Sequence, residues 1–145
     1  MQLEPGPRLD TAMIASLQDL PAKSKSSLFD QLYEGFADKA RAAQAGMRTA
    51  AACEDWAEAL SIVHKHRSNS GFLGLARYMR YCGELETLAR EACEGEAPAM
   101  EVWNAALDVA TIELQPSLDA LAAHLDRGRS EPAVGAEGSG GGGAA

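Results

Sequence analysis

The stretch Leu60-Ser61-Ile62-Val63-His64-Lys65-His66-Arg67-Ser68-Asn69-Ser70-Gly71-Phe72-Leu73-Gly74 decides how the rest of the chain is read. A helix turns about 100° per residue. On that wheel Ala59, Ile62, Val63, His66, Ser70 and Leu73 gather on one side, which is a core face. His64, Arg67, Ser68 and Gly71 lie away from it, with Leu60 beside them. The two histidines are thus separated: His64 is directed outward and His66 inward. Gly71 weakens the helix and Gly74 ends it, because glycine loses the most backbone freedom in a helix and readily takes the left-handed turn beyond it.

The charge around this stretch is uneven. The chain has a formal net charge of -8, yet no Asp or Glu occurs from Ala59 to Gly83. That window holds Lys65, Arg67, Arg77 and Arg80. A cationic island on an acidic chain suits an anionic group. The acidic balance speaks against wholesale nucleic-acid binding, which needs a basic surface. Lys65 lies about 100° from His64 on the wheel and reads as solvated. Arg77 and Arg80 either fringe the same surface or are solvated.

Helical periodicity continues on both sides of the stretch. Residues 1–8 form a leader containing Pro5 and Pro7. Leu9 to Leu20 reads as a short helix with Leu9, Met13, Leu17 and Leu20 on one face and Asp10 as its cap. Pro21 breaks it. Lys23 to about Ala50 reads as one long helix with Leu28, Leu32, Phe36, Ala40, Ala43 and Met47 inward. Asp55-Trp56-Ala57-Glu58 has the pattern of a capping box, placing the start of the central helix there. A further helix spans Leu75 to about Cys93, with Tyr78, Met79, Cys82, Leu85 and Ala89 inward. The last spans Ala99 to Arg127, and Pro116 predicts a kink or break within it. Residues 128–145 are Gly-rich, have no aromatic residue, and are expected to be a disordered tail. The expected architecture is all-α: an antiparallel four-helix bundle over 9–127 with an additional short N-terminal helix.

Several classes are disfavoured. Cys53, Cys82 and Cys93 are odd in number and form no C-x-x-C pair, so free thiols in a reducing compartment are expected. No stretch approaches the roughly 18 apolar residues of a membrane span, and no secretory signal is visible. A cytoplasmic protein without a membrane partner follows. No histidine has a Glu three residues before it, as carboxylate-bridged metal bundles require. Neither a P-loop nor a G-x-S-x-G elbow occurs. No cofactor and no metal are expected on this chain. His64 and His66 point apart on a helix and cannot share an ion.

What remains is one outward imidazole beside a guanidinium. A neutral imidazole with a free ring nitrogen is a good nucleophile toward an activated phosphoryl group. Arg67, one turn on, can hold phosphoryl oxygens. Ser68 and Gly71 are small and leave room for a partner, and Leu60 offers an apolar docking contact. His66, facing the core, needs a hydrogen-bond partner. His66→Leu is expected to keep or raise stability.

These residues resemble the histidine-containing phosphotransfer (HPt) domain of two-component phosphorelays, whose centre reads approximately H-x-L-K-G-S-x-x-x-L-G-x-x-x-L-x-x-x-C-x-x-L-E. His64 takes the place of the phosphoaccepting histidine and Arg67 that of the usual lysine. Leu73-Gly74, Tyr78, Cys82, Leu85 and Glu86 fall on the following positions. Ser68 stands where the family has glycine, and His66 where it has leucine. The resemblance implies a phosphorelay intermediate. His64 would accept a phosphoryl group from a receiver-domain aspartate and pass it to another, with Arg67 stabilising it and Leu60, Ser68 and Gly71 docking the partner. The partners would be response-regulator receiver domains and receiver domains of hybrid histidine kinases. Mg²⁺ and the catalytic acids would reside on the receiver. The chain itself would be a monomeric phosphoryl carrier rather than an enzyme. A receiver-binding adaptor or inhibitor using the same face is the alternative.

Overall fold

A computed structural model describes residues 6–18 and 28–130. The expectations for residues 1–5, for Leu20 to Lys23, and for the Gly-rich stretch 131–145 lie outside the described residues. Within them the chain is all-α: α1 (Thr11–Gln18), α2 (Leu28–Tyr33), α3 (Phe36–Ala52), α4 (Trp56–Phe72), α5 (Ala76–Cys93) and α6 (Met100–Ser130). No strand is formed among the described residues. Helices α3 to α6 make the bundle, and α1 packs against α2 and α4.

The tight connections follow from local chemistry. At the end of α4, Gly74 takes φ 74°. Its N–H donates to the Gly71 carbonyl and the Leu75 N–H to the Ser70 carbonyl, the Schellman arrangement. Gly95, at φ 94°, ends α5 in the same way. At the end of α3 the left-handed position is filled by Glu54, at φ 61°. Asp55 follows immediately, and its carboxylate accepts from the Glu58 N–H at 3.2 Å to open α4. One residue after the turn is thus already the next helix's cap, so α3 and α4 must run antiparallel.

The core is built from α6 outward. Trp103, Leu107, Ala110, Leu114, Leu118, Leu121 and Leu125 are buried along it. They meet Tyr78, Cys82, Leu85 and Ala89 of α5, Phe36, Ala40 and Met47 of α3, and the small inner face of α4, Ala59 and Val63. Trp56 and Trp103 pack edge to face, 5.1 Å between centroids.

Three sequence expectations change. The single helix over Lys23–Ala50 is broken: Gly35 at φ 78° separates α2 from α3. Only glycine takes that conformation without steric strain, and Phe36 still arrives buried on the far side. In α1, Ile14 is the fully buried residue, whereas Met13 is 37% exposed. Leu17 is buried and Leu9, which precedes the helix, packs against the core as expected, so Met13 alone of the described face residues departs from it. Ile14 instead lies on Gly74, where a Cβ would come within 2.6 Å of it. Finally, α6 passes through Pro116 without a break and continues to Ser130. The carbonyl that loses its partner belongs to Ile112, whose side chain is 74% exposed, so water can satisfy it. On the buried side Ser117 donates to Glu113 at 2.6 Å, tying together the residues flanking the proline.

That Glu113 carboxylate also fastens the N-terminal segment. Arg8 Nε donates to it at 2.6 Å, and Arg77 Nη2 donates to the Gly6 carbonyl at 2.7 Å. Residues 6–8 are thus pinned to α5 and α6, and Arg77 is a structural cation.

The partner of His66 is Tyr78. His66 Nε2 lies 2.8 Å from the Tyr78 hydroxyl, which also accepts from Gln44 Nε2 at 2.9 Å. Phe36 stacks on the imidazole at 5.4 Å. Burial pushes the ring down to about 4 and keeps the Tyr78 phenol protonated. A neutral ring accepting the phenolic proton satisfies both groups.

Glu54→Gly relieves the left-handed backbone and should raise stability by about 0.5–1 kcal/mol in denaturant unfolding. The folded chain keeps His66 neutral to about 4, while an unfolded imidazole binds a proton near 6.5. Stability is therefore full above 6.5 and falls as pH drops toward 4, by on the order of 3 kcal/mol. His66→Leu should flatten that acid slope. Contrary to the sequence expectation, it should also lower stability at neutral pH by about 1 kcal/mol, because Tyr78 loses its acceptor. Adding Tyr78→Phe should not restore this, because the buried Gln44 amide then loses its own acceptor.

Candidate functional site

Position 64 is set by the inner face of α4. Ala59, Val63, His66 and Ser70 are buried against the bundle, which turns His64 to the outside. The His64 side chain is 68% exposed. His66 is 5% exposed, so the two histidines are separated as the wheel requires.

Opposite His64, on α5, stands Glu86. Its residue is 2% exposed, yet it is fully partnered. His64 Nδ1 lies 2.8 Å from Oε2, Arg67 Nη1 donates to Oε1 at 2.9 Å, and Arg90 Nη2 donates to Oε2 at 2.9 Å. Burial by itself would raise this carboxyl, but the hydrogen bonds from His64, Arg67 and Arg90 outweigh it and hold the group down at about 2. An ionised carboxylate can only accept. The proton of neutral His64 is therefore on Nδ1, and the Nε2 lone pair is free and faces solvent.

The other sequence-chosen residues are placed unequally. Arg67 is beside His64, as expected, but one guanidinium nitrogen is engaged with Glu86, and the group lies against Gly83. Leu60 is half-buried on the His64 side of α4. Ser68 is exposed, with its hydroxyl donating to the His64 carbonyl at 3.2 Å. Gly71 is not open space: a Cβ there would meet Met79 Sδ at 2.8 Å. Its smallness admits Met79 from α5, and Met79 then borders the site. Cys82 is fully buried, and burial pushes its thiol up to about 12. It is a core residue.

Sequence reasoning passed over Arg90, and saw Glu86 only as a motif position. The i, i+4 spacing of Glu86 and Arg90 was the available signal. That both converge on His64 depends on how α5 lies against α4. Among the described residues no cluster of His, Cys, Asp or Glu could hold a metal ion, and no helix is long and apolar enough to cross a membrane.

The bundle thus presents the His64 imidazole at its surface, oriented by a buried carboxylate. The family model of the Hpt domain matches residues 31–128, well over half of the chain, which therefore belongs to the Hpt domain family. Hpt domains are phosphocarrier modules of two-component systems and interact with receiver domains. Searches of curated proteins and of solved structures returned no significant match.

Glu86→Gln keeps the size of the side chain but removes its charge. It leaves two guanidiniums without their carboxylate and weakens the anchor of the imidazole. The expected outcome is a fall in unfolding free energy on the order of 1–3 kcal/mol, read from denaturant titration.

Proposed function

We propose that His64 is the phosphoaccepting residue of a relay between two receiver domains. What carries this is the bond from Nδ1 to the Glu86 carboxylate, which leaves Nε2 unprotonated on an exposed surface. In the first step the Nε2 lone pair attacks the phosphorus of a receiver's aspartyl phosphate. The N–P bond forms, the P–O bond to the aspartate breaks, and the aspartate leaves as a carboxylate. No proton need move: the ring becomes an N-phosphoimidazolium whose Nδ1–H stays on Glu86. The carboxylate offsets the positive charge that develops on the ring. In the second step another receiver's aspartate attacks the phosphorus, the N–P bond breaks, and neutral imidazole leaves.

Arg67 is proposed to bind a phosphoryl oxygen through guanidinium nitrogens not engaged with Glu86. Leu60, Ser68 and Gly71 are proposed to form the docking surface around the imidazole, with Met79 filling the space over Gly71. Mg²⁺ and the remaining groups needed for in-line transfer belong, in this reading, to the receiver. The chain then acts as a cytoplasmic, monomeric carrier of the phosphoryl group, not as an enzyme.

The test is transfer from phosphorylated receiver domains. The wild-type chain should acquire acid-labile, alkali-stable label, and His64→Gln should acquire none. Label on His64→Gln, or receiver binding without any label on the wild-type chain, would sink the relay reading; the second result would favour an adaptor.

A further inference from the structure

Charge is divided along the chain into two opposite windows. The acid-free run from Ala59 to Gly83 supplies cations to the His64 side of the bundle. From Glu91 to Asp126 the reverse holds, with eight acidic residues and no Lys or Arg. That run is the end of α5, the turn after it and nearly all of α6. Glu91, Glu94, Glu96, Glu101, Asp108 and Asp119 in it are exposed. Cations come to the run only from other elements. Arg48 pairs with Asp108 at 3.0 Å, Arg41 donates to Gln115 at 3.0 Å, and Arg8 is taken up by the buried Glu113. Among the described residues Glu91, Glu94, Glu96 and Glu101 meet no cation.

An apolar stripe runs through this acidic surface. Of the six large apolar side chains left exposed among the described residues, four are in α6. Three of these, Val102, Val109 and Ile112, fall on one face, where Ala105 and Pro116 complete a repeat of three and four residues. Val102 is 51% exposed, Val109 45% and Ile112 74%. The repeat covers about 21 Å of helix. The opposite face of α6 is the one that enters the core. The Ile112 carbonyl, deprived of its helical donor by Pro116, lies on the same stripe.

We propose that this face of α6 docks a cationic amphipathic helix of another protein. An alternation of three and four residues carrying Val102, Val109 and Ile112 is the pattern by which one helix packs along a second. Glu101 and Asp108 stand beside that seam, where charge selects the partner, and they call for Lys or Arg opposite them. A lysine on the partner can also donate to the Ile112 carbonyl. The same acids turn away nucleic acid and anionic bilayers. A second copy of the chain would bring acid against acid along the seam. Helix α6 packs on α3 and α5 and stands diagonally across the bundle from α4. A helix held on α6 therefore leaves His64 uncovered, so the chain can be retained on an assembly while the imidazole stays accessible. The docking does not depend on His64 being the acceptor.

The probe is a fluorescent helical peptide of Leu and Lys only, with its leucines at alternating spacings of three and four. A Leu and Glu peptide of the same pattern is the control. Anisotropy titration with the full chain should show saturable binding of the first, weakened by salt, and none of the second. Ile112→Lys and Val109→Lys should each weaken binding by about tenfold, and Glu101→Lys by about threefold. Thermal melts accompany each variant, and should Ile112→Lys fail to fold, Val109→Lys decides in its place. Amide shifts produced by the peptide in NMR spectra should map to α6 and not to α4. No binding at millimolar peptide, equal binding of the Leu and Glu peptide, unchanged affinity in Ile112→Lys or Val109→Lys, or shifts centred on α4 overturns the proposal. A wild-type chain that sediments as a dimer and becomes a monomer in Ile112→Lys overturns it in favour of a second copy. Binding to phosphatidylserine vesicles that Ile112→Lys abolishes overturns it in favour of a membrane.

Discussion

Burying the Glu86 carboxylate is the constraint on which the site depends. A charge at 2% exposure is tolerated only with good partners. Here those partners come from two helices, His64 and Arg67 from α4 and Arg90 from α5 itself. The carboxylate therefore fixes more than its own protonation. It sets how α4 is rotated relative to α5, which nitrogen of His64 carries the proton, and which one faces outward. Removing a partner from such a node leaves part of a buried charge uncompensated. The geometry is thus kept by an electrostatic penalty and not by the weak attraction of surface ion pairs.

Beneath this node lies a second polar layer. His66 donates no bulk a leucine could not supply. It does bond Tyr78, which in turn accepts from Gln44 of α3. The three groups connect α3, α4 and α5 at one level of the bundle. A hydrophobic contact at this position could slide, whereas a satisfied hydrogen-bond chain has one register. The layer therefore holds α4 in the orientation that keeps His64 on the surface. The ends of the same helices are equally defined. Gly74 closes α4 and also receives Ile14 of α1, and the Asp10 N–H donates to the Gly74 carbonyl at 2.7 Å. The N-terminal helix is thus attached through the turn that ends the histidine helix.

Much was legible in the residues alone: the all-α class, the starts of the last three helices to within a residue, and the outward and inward faces of α4. Those features are local. They follow from a period of 3.6 residues, from Asp55 as a cap, and from glycines at helix ends. The tertiary structure decided the rest. Gly35 divides what periodicity alone makes one helix, because a left-handed residue does not disturb the spacing of apolar side chains around it. Ile14, not Met13, is buried, because docking on Gly74 sets the phase of a helix too short to set its own. The convergence of Glu86 and Arg90 on His64, 22 and 26 residues apart in the chain, belongs to the packing of α5 on α4. Periodicity says which face of each helix is buried; only the pairing of two helices says which charge one face brings to the other.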